Sequence, residues 1–230
     1  MSKIIKDNLQ PAVTDLIIVC GIVNKKSEDI LSAVIKNLDK HKFNNKYILF
    51  DGAPDLTVSK RYTNYKNYYK VNYPDFVFIE NIQCLKYRKN LKLFIQDNLE
   101  GLSKNLLIIQ DNILLDDFDL EKVLETKAVF DECQILYFRE HRLRLNQWFN
   151  VVDDSQILMK THSWNENAYL INKDKILHFL NYQPKDYYND MMKDRCWETI
   201  TDEEQLDYWK RWGCYTHKNI RFTTKRSSFT

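Results

Sequence analysis

Two aspartates stand directly behind apolar runs: Asp51 after Lys46-Tyr-Ile-Leu-Phe50, and Asp111 after Leu106-Leu-Ile-Ile109 and Gln110. A carboxylate at the end of a buried strand can hydrogen-bond a base or a ribose, or hold a cation. Aspartate also closes turns without any ligand, and for one Asp taken singly that is the simpler explanation. Asn112 follows Asp111; its amide oxygen is a neutral and weaker ligand for a hard cation than a carboxylate is. A third acidic group, Asp202-Glu203-Glu204 behind Thr201, has two compatible readings. Acids after a Thr cap suit the positive end of a helix dipole, and a carboxylate aimed at an acceptor hydroxyl can take its proton. His217 could complete a metal or phosphate site, although a lone histidine is more often structural. Asp116, Asp117 and Asp119 read as the capped, solvated start of a helix.

Such residues work only if a scaffold gathers them. Leu16-Ile-Ile-Val-Cys20 is a continuous, largely β-branched run, the pattern of a strand buried on both faces. Gly21 follows it, and Ser27 can cap a helix whose apolar positions Ile30, Leu31, Val34, Ile35 and Leu38 repeat every 3.6 residues. Lys46–Phe50 is the next strand, stopped by Asp51-Gly52-Ala53-Pro54. Strand, helix and strand at this spacing form a βαβ unit and predict a parallel sheet. Further strands are expected at Asp75–Ile79, Leu106–Ile109, Gln134–Phe138 and Ala168–Ile171. Helices are expected over 86–100, Asp119–Thr126, Lys173–Leu180 and Glu203–Trp212. The segment Val58–Tyr73 shows no firm period and reads as loop with at most one helical turn. Its run from Lys60 to Lys70 interleaves bases with tyrosines, as single-strand nucleic-acid platforms do, but a solvated surface loop explains it as well.

Composition bounds the rest. At 230 residues, with 44% apolar and 29% charged side chains, the chain suits one globular domain and excludes wholesale disorder. A formal charge of +2 does not predict a nucleic-acid-binding field. The 5 cysteines lie far apart without a C-x-x-C pair, which favours reduced thiols in a cytoplasmic setting over a disulfide frame or zinc site. The first apolar run, Leu16–Val23, is too short to span a bilayer. A dinucleotide-binding oxidoreductase or a methyltransferase would need a glycine-rich first turn, and only Gly21 stands there. The expectation is a single α/β domain with a mostly parallel central sheet flanked by helices.

The order of these signals resembles the GT-A glycosyltransferases, in particular small family 2-like members of viral or bacterial type. The resemblance covers residues 14–222. Ile17–Ile22 and Phe50-Asp51-Gly52 occupy the places of the first two strand ends. Arg88-Lys-Asn90 resembles the stretch with Arg and Asn before the acidic strand end, and Gln110-Asp111-Asn112 is similar to the DxD segment. Asp202-Glu203-Glu204-Gln-Leu206, with Trp209 and Gly213 behind it, resembles the acidic helix start of family 2.

That resemblance implies a Rossmann-like domain over 1–230. A nucleotide-sugar-binding half would cover 1–112, an acceptor-binding half 113–217, and a basic tail 218–230 whose Lys225 and Arg226 could close over a diphosphate. It implies a donor site at Cys20, Gly21, Ile22, Asp51, Arg88 and Asp111, with Mn²⁺ or Mg²⁺ at Asp111, Asn112 and His217. Glu203 would be the base, with Asp202 and Glu204 as rivals, and Trp164 with Asn165 would shape the sugar pocket. The partners implied are a nucleotide-sugar donor, UDP-linked by preference, and a glycan or glycoprotein acceptor. The Asn, Lys and Ile bias fits an AT-rich coding genome such as that of a large DNA virus, whose product would act in the host cytoplasm. Asn112, where the family places a carboxylate, keeps open an alternative: an inactive GT-A-like module that binds a glycan or a partner.

Overall fold

The computed structural model describes residues 13–20, 25–52, 56–129, 133, 135–140, 151–154, 158–161, 168–181 and 214–224. The apolar run at the start becomes β1 (Thr14–Cys20), and all seven of its residues are buried. It is followed by α1 (Lys25–Leu38), β2 (Lys46–Phe50), α2 (Leu56–Asn72), β3 (Val77–Glu80) and α3 (Lys86–Asn98). Next come a 3-10 turn at Leu99–Gly101, β4 (Asn105–Gln110), β5 (Ile113–Asp116), α4 (Leu120–Val129) and β6 (Ile135–Glu140). The remaining elements are β7 (Val151–Asp154), β8 (Leu158–Thr161), β9 (Ala168–Asn172), α5 (Lys173–Asn181) and β10 (Cys214–Thr224).

These strands form one sheet in the order β3-β2-β1-β4-β9-β6-β10-β8-β7, with β5 paired to β10 off that path. β3, β2, β1 and β4 are parallel neighbours, as the βαβ spacing predicts. β9 runs against both β4 and β6, so β6 again points the way of β4. The central six strands are therefore mostly parallel, and the antiparallel pairings of β5, β7 and β8 lie beyond them. β5, β7, β8 and β10 were not legible as strands. Residues 218–224, placed in the basic tail by sequence, belong to β10.

Side-chain alternation divides the core between the two sheet faces. Leu16, Ile18, Ile48 and Phe50 pack with Leu31, Val34 and Ile35 of α1 and with Tyr62, Tyr65 and Tyr69 of α2. Ile17, Val19, Leu49 and Ile108 pack on the other face with Leu91, Phe94 and Ile95 of α3 and Ile176 of α5.

The loop expected over Val58–Tyr73 is instead the helix α2. Tyr62, Tyr65 and Tyr69 recur at helical spacing and are all buried. Their hydroxyls hide the period when tyrosine is counted as polar, although the rings pack as apolar surface. Tyr65 and Tyr69 meet edge to face at 4.6 Å, and Tyr69 shares a 2.8 Å hydrogen bond with Ser32 of α1. Lys66 and Lys70 both reach Glu80 of β3 at 2.6 Å. Partial burial works against the Glu80 charge, but these hydrogen bonds and charges prevail and lower its pKa. Lys66 and Lys70 of this run thus face a carboxylate of the same sheet.

Asp119 keeps the expected capping role, accepting from Lys122 N at 3.3 Å. Asp116 instead ends β5, and Asp117 adopts a positive φ of 53° in the turn to α4.

Opposite the strand ends of interest, Asp15 is wholly buried at the start of β1. Its carboxylate accepts from Asn45 N at 3.0 Å and Asn45 Nδ2 at 2.9 Å, and from Ser103 N and Ser103 Oγ, each at 2.7 Å. A buried charge is tolerated when bonded this fully, and these bonds tie the approaches to β2 and β4 to β1. Asp15→Ala strands the Ser103 and Asn45 amides, so urea unfolding should show a stability loss of about 3 kcal/mol.

Candidate functional site

The carboxyl ends of β1, β2 and β4 lie side by side. Cys20 pairs with Phe50, and Val19 with Gln110. Asp111 extends the ladder by one step, its amide donating to Val19 O at 3.1 Å. Asp51 and Asp111, far apart in sequence, therefore flank the end of β1.

Asp51 is buried at 3% exposure, and its surroundings explain why the carboxylate can stay there. Oδ1 accepts from Gly52 N at 3.0 Å and from Leu85 N at 2.6 Å. The Cys84 thiol approaches Oδ2 at 3.5 Å. Leu85 is the N-cap residue of α3 and supplies no side-chain cap, so Asp51 takes that role from across the fold, where the helix dipole favours an anion. The segment 81–85 crosses the end of β2 closely: Asn81 N donates to Phe50 O at 3.1 Å, and Gly52 N lies 3.1 Å from Gln83 O. A Cβ on Gly52 would stand 2.3 Å from the Gln83 carbonyl carbon, so only glycine permits this approach. From the other face, the Tyr62 hydroxyl donates to Asp51 O.

Cys20, the last residue of β1, is buried between these two strand ends. Burial, reinforced by Asp111, pushes its thiol pKa well up, so it serves as packing surface rather than as a nucleophile. Burial likewise raises the phenols of Tyr62 and Tyr65, with Cys20 and Asp111 adding to the effect. Both hydroxyls stay protonated, next to the same strand ends. The sequence marked them only as members of the base-and-tyrosine run from Lys60 to Lys70, and their three-residue spacing was the signal of a buried helix face.

Asp111-Asn112 is the turn by which the chain leaves the sheet at β4 for the β5–β10 pairing. Asn37 of α1 fastens that exit, its amide group giving one bond to Leu115 O and taking one from Leu115 N, each 3.1 Å. Asn112 Oδ1 is buried and has no hydrogen-bond partner. An unpartnered amide oxygen beside a half-buried carboxylate is a donor set of the kind a hard cation takes. Among the described residues no cluster of three or more His, Cys, Asp or Glu could hold a metal. On β10 the residue opposite Ile113, next to this turn, is Thr224. His217 pairs instead with Phe138 and Leu158, beyond a register shift.

Arg88 lies within the first turn of α3, and its Nε donates to Leu180 O of α5 at 3.3 Å. Asn90, two residues on, is buried and accepts from Asn81 Nδ2. Gly21, Ile22, Trp164, Asn165, Asp202, Glu203 and Glu204 lie outside the described residues. No described helix is long and apolar enough to cross a membrane.

No family model matches the sequence, and no curated protein does. Solved structures do match. GalNAc-T7 with UDP, GalNAc and Mn²⁺ aligns at a TM-score of 0.59 and 9% identity, over 92% of this chain and 43% of that one. The fold is GT-A. A mannose-1-phosphate geranyltransferase from Thermus thermophilus aligns at 0.53 and 9% identity, over 91% of this chain and 75% of its own. S. aureus TarS 1–349 aligns at 0.52 and 12% identity, over 92% and 60% respectively. The chain thus spans under half of the GalNAc-T7 chain and three-fifths of the TarS chain. In this GT-A fold Asp51, Asp111 and Asn112 sit at the carboxyl ends of parallel strands, where open α/β sheets bind ligands.

Gly52→Ala should shift urea unfolding by about 1–3 kcal/mol, because the added methyl meets rigid backbone. Gly101→Ala, with nothing within 4 Å of its added Cβ, should leave the midpoint nearly unchanged.

Proposed function

We propose that this GT-A domain is a glycosyltransferase that moves a sugar from a nucleotide-diphosphate sugar, UDP-linked by preference, to a hydroxyl of a glycan or other acceptor. The observation that carries the reading is the juxtaposition, in a GT-A sheet, of Asp111 and the unpartnered Asn112 oxygen with the Asp51 strand end. In the proposal Cys20, Gly21, Ile22 and Asp51 hold the base and ribose side of the donor, and Arg88 lies near the nucleotide. Asp111 and Asn112 would hold Mn²⁺ or Mg²⁺, which when bound supplies positive charge at the leaving diphosphate. The similar structures support a nucleotide-sugar role at the level of the fold: one holds UDP, GalNAc and Mn²⁺, and TarS shares that fold.

The acceptor hydroxyl must lose a proton as it attacks the anomeric carbon. Glu203 is the proposed base, with Asp202 and Glu204 as neighbours able to take its place. Trp164 offers an aromatic face and Asn165 an amide for the sugar. His217 is retained only as a phosphate-side group, because the register of β10 sets Thr224 rather than His217 opposite the residue after Asn112.

One observation favours a second reading, a catalytically inactive GT-A-like module that binds a glycan or a partner. Asn112 contributes no charge where a second carboxylate would strengthen cation binding.

Calorimetric titration of UDP, GDP and CMP, each with and without Mn²⁺, separates the two. The transferase reading expects one nucleotide to bind in a Mn²⁺-dependent manner, and Asp111→Ala to weaken it at least about tenfold, the scale of losing a charged contact. Turnover of the matching nucleotide sugar should fall with it. Absence of binding to all three nucleotides would overturn the donor site and leave the binding module.

A further inference from the structure

The segment between β3 and α3 turns back across the end of β2 and is pinned along its length. Asn81 N donates to Phe50 O at 3.1 Å, and Gly52 N donates to Gln83 O at 3.1 Å. The Asn81 side-chain amide donates to Asn90 Oδ1, and Leu85 N to Asp51 Oδ1 at 2.6 Å. Between these anchors Ile82 stands 98% exposed, more than any other large hydrophobic residue described.

A single apolar side chain on a surface is ordinary, and it is as exposed in the unfolded chain as here. The fold therefore gains nothing from isoleucine at position 82, and a polar side chain would serve the turn as well. Its place is what distinguishes it. β2 and β3 are parallel neighbours, and residue 82 follows their carboxyl ends, on the rim where open α/β sheets bind ligands. The anchors on either side deny the backbone the freedom to tuck the side chain inward. A rigidly presented aliphatic group on that rim suits a ligand with a flat, uncharged face. In a nucleotide sugar the diphosphate is charged and the sugar is covered with hydroxyls, so the base is the part that offers such a face.

We propose that Ile82 is the apolar lip of the donor site, packing against the face of the nucleotide base. The inference rests on the reading of these strand ends as a nucleotide site, and it deepens that reading by naming a base contact. Because Ile82 is almost wholly in solvent, changing it leaves the scaffold alone, and an altered affinity reports the ligand contact itself. Val71 supplies the control. It is 78% exposed and next to last in α2, which runs from the carboxyl end of β2 to the amino end of β3, so it lies at the opposite rim of the sheet.

The test is calorimetric binding of UDP, GDP, CMP and inorganic pyrophosphate, each with Mn²⁺, to wild type, Ile82→Ala, Ile82→Leu and Val71→Ala. All the variants should keep the wild-type thermal midpoint. Ile82→Ala should weaken the nucleotide that wild type takes about fivefold, the scale of losing a partly buried aliphatic contact. Ile82→Leu restores an aliphatic group of equal size and should stay within about twofold of wild type, as should Val71→Ala. Pyrophosphate carries no base and should bind Ile82→Ala as it binds wild type. Unchanged nucleotide affinity in Ile82→Ala, with wild type binding, would overturn the lip alone, and so would an equal loss for pyrophosphate. Failure of wild type to bind any of the nucleotides would overturn the transferase reading and the lip with it.

Discussion

A carboxylate buried at the end of a strand is costly unless donors surround it, and Asp51 shows how this domain meets that requirement. Its Oδ1 is reached by the amide of the next residue and by the amide that opens α3, whose first turn has no cap of its own. One side chain thus satisfies a strand end and a helix start together. To do so, the segment 81–85 must pass so close to β2 that residue 52 has no room for a side chain. The approach of α3, the glycine and the placement of the carboxylate are consequences of a single electrostatic requirement.

The opposite face obeys a related constraint. α2 presents Tyr62, Tyr65 and Tyr69 to the sheet, and each brings an apolar ring with a hydroxyl that must be bonded when buried. Tyr62 directs its hydroxyl to Asp51 and Tyr69 to Ser32. Burial raises the Tyr69 phenol to about 12, so it remains neutral throughout the physiological range. α2 is therefore fixed along its length by rings and at discrete points by hydroxyls. The cation pair Lys66 and Lys70 on Glu80 closes its outer edge.

Between these two clamps lies the Asp111-Asn112 turn. The turn is held in place by the bonds from Asn37 of α1 to Leu115 of β5 and by the pairing of β5 with β10, yet the Asn112 oxygen is left without a donor. A rigid turn with an unmet acceptor is suited to a ligand that supplies positive charge or an N–H. A neutral amide in that place brings less negative charge to the strand ends than a second carboxylate would.

The apolar runs at 16–20, 46–50 and 106–109 and the 3.6-residue period of α1 were enough to read the parallel half of the sheet. Burial on both faces demands an unbroken apolar strand, and helical burial demands its own repeat. The position of Asp51 and Asp111 at strand ends followed from the same local pattern. Four other features were not legible. α2 was hidden because tyrosine is apolar in its ring and polar at its tip. β5, β7, β8 and β10 lacked a long apolar run to mark them. Asp15 looked like any acid near a strand start, and its burial shows only once Ser103, 88 residues away, closes over it. The cradle of Asp51 depends on Leu85, 34 residues on. Local sequence determines which element a segment forms, because each element's periodicity is a property of its own neighbours. Which donor meets which carboxylate is decided by packing between distant segments, and only the tertiary structure brings those segments together.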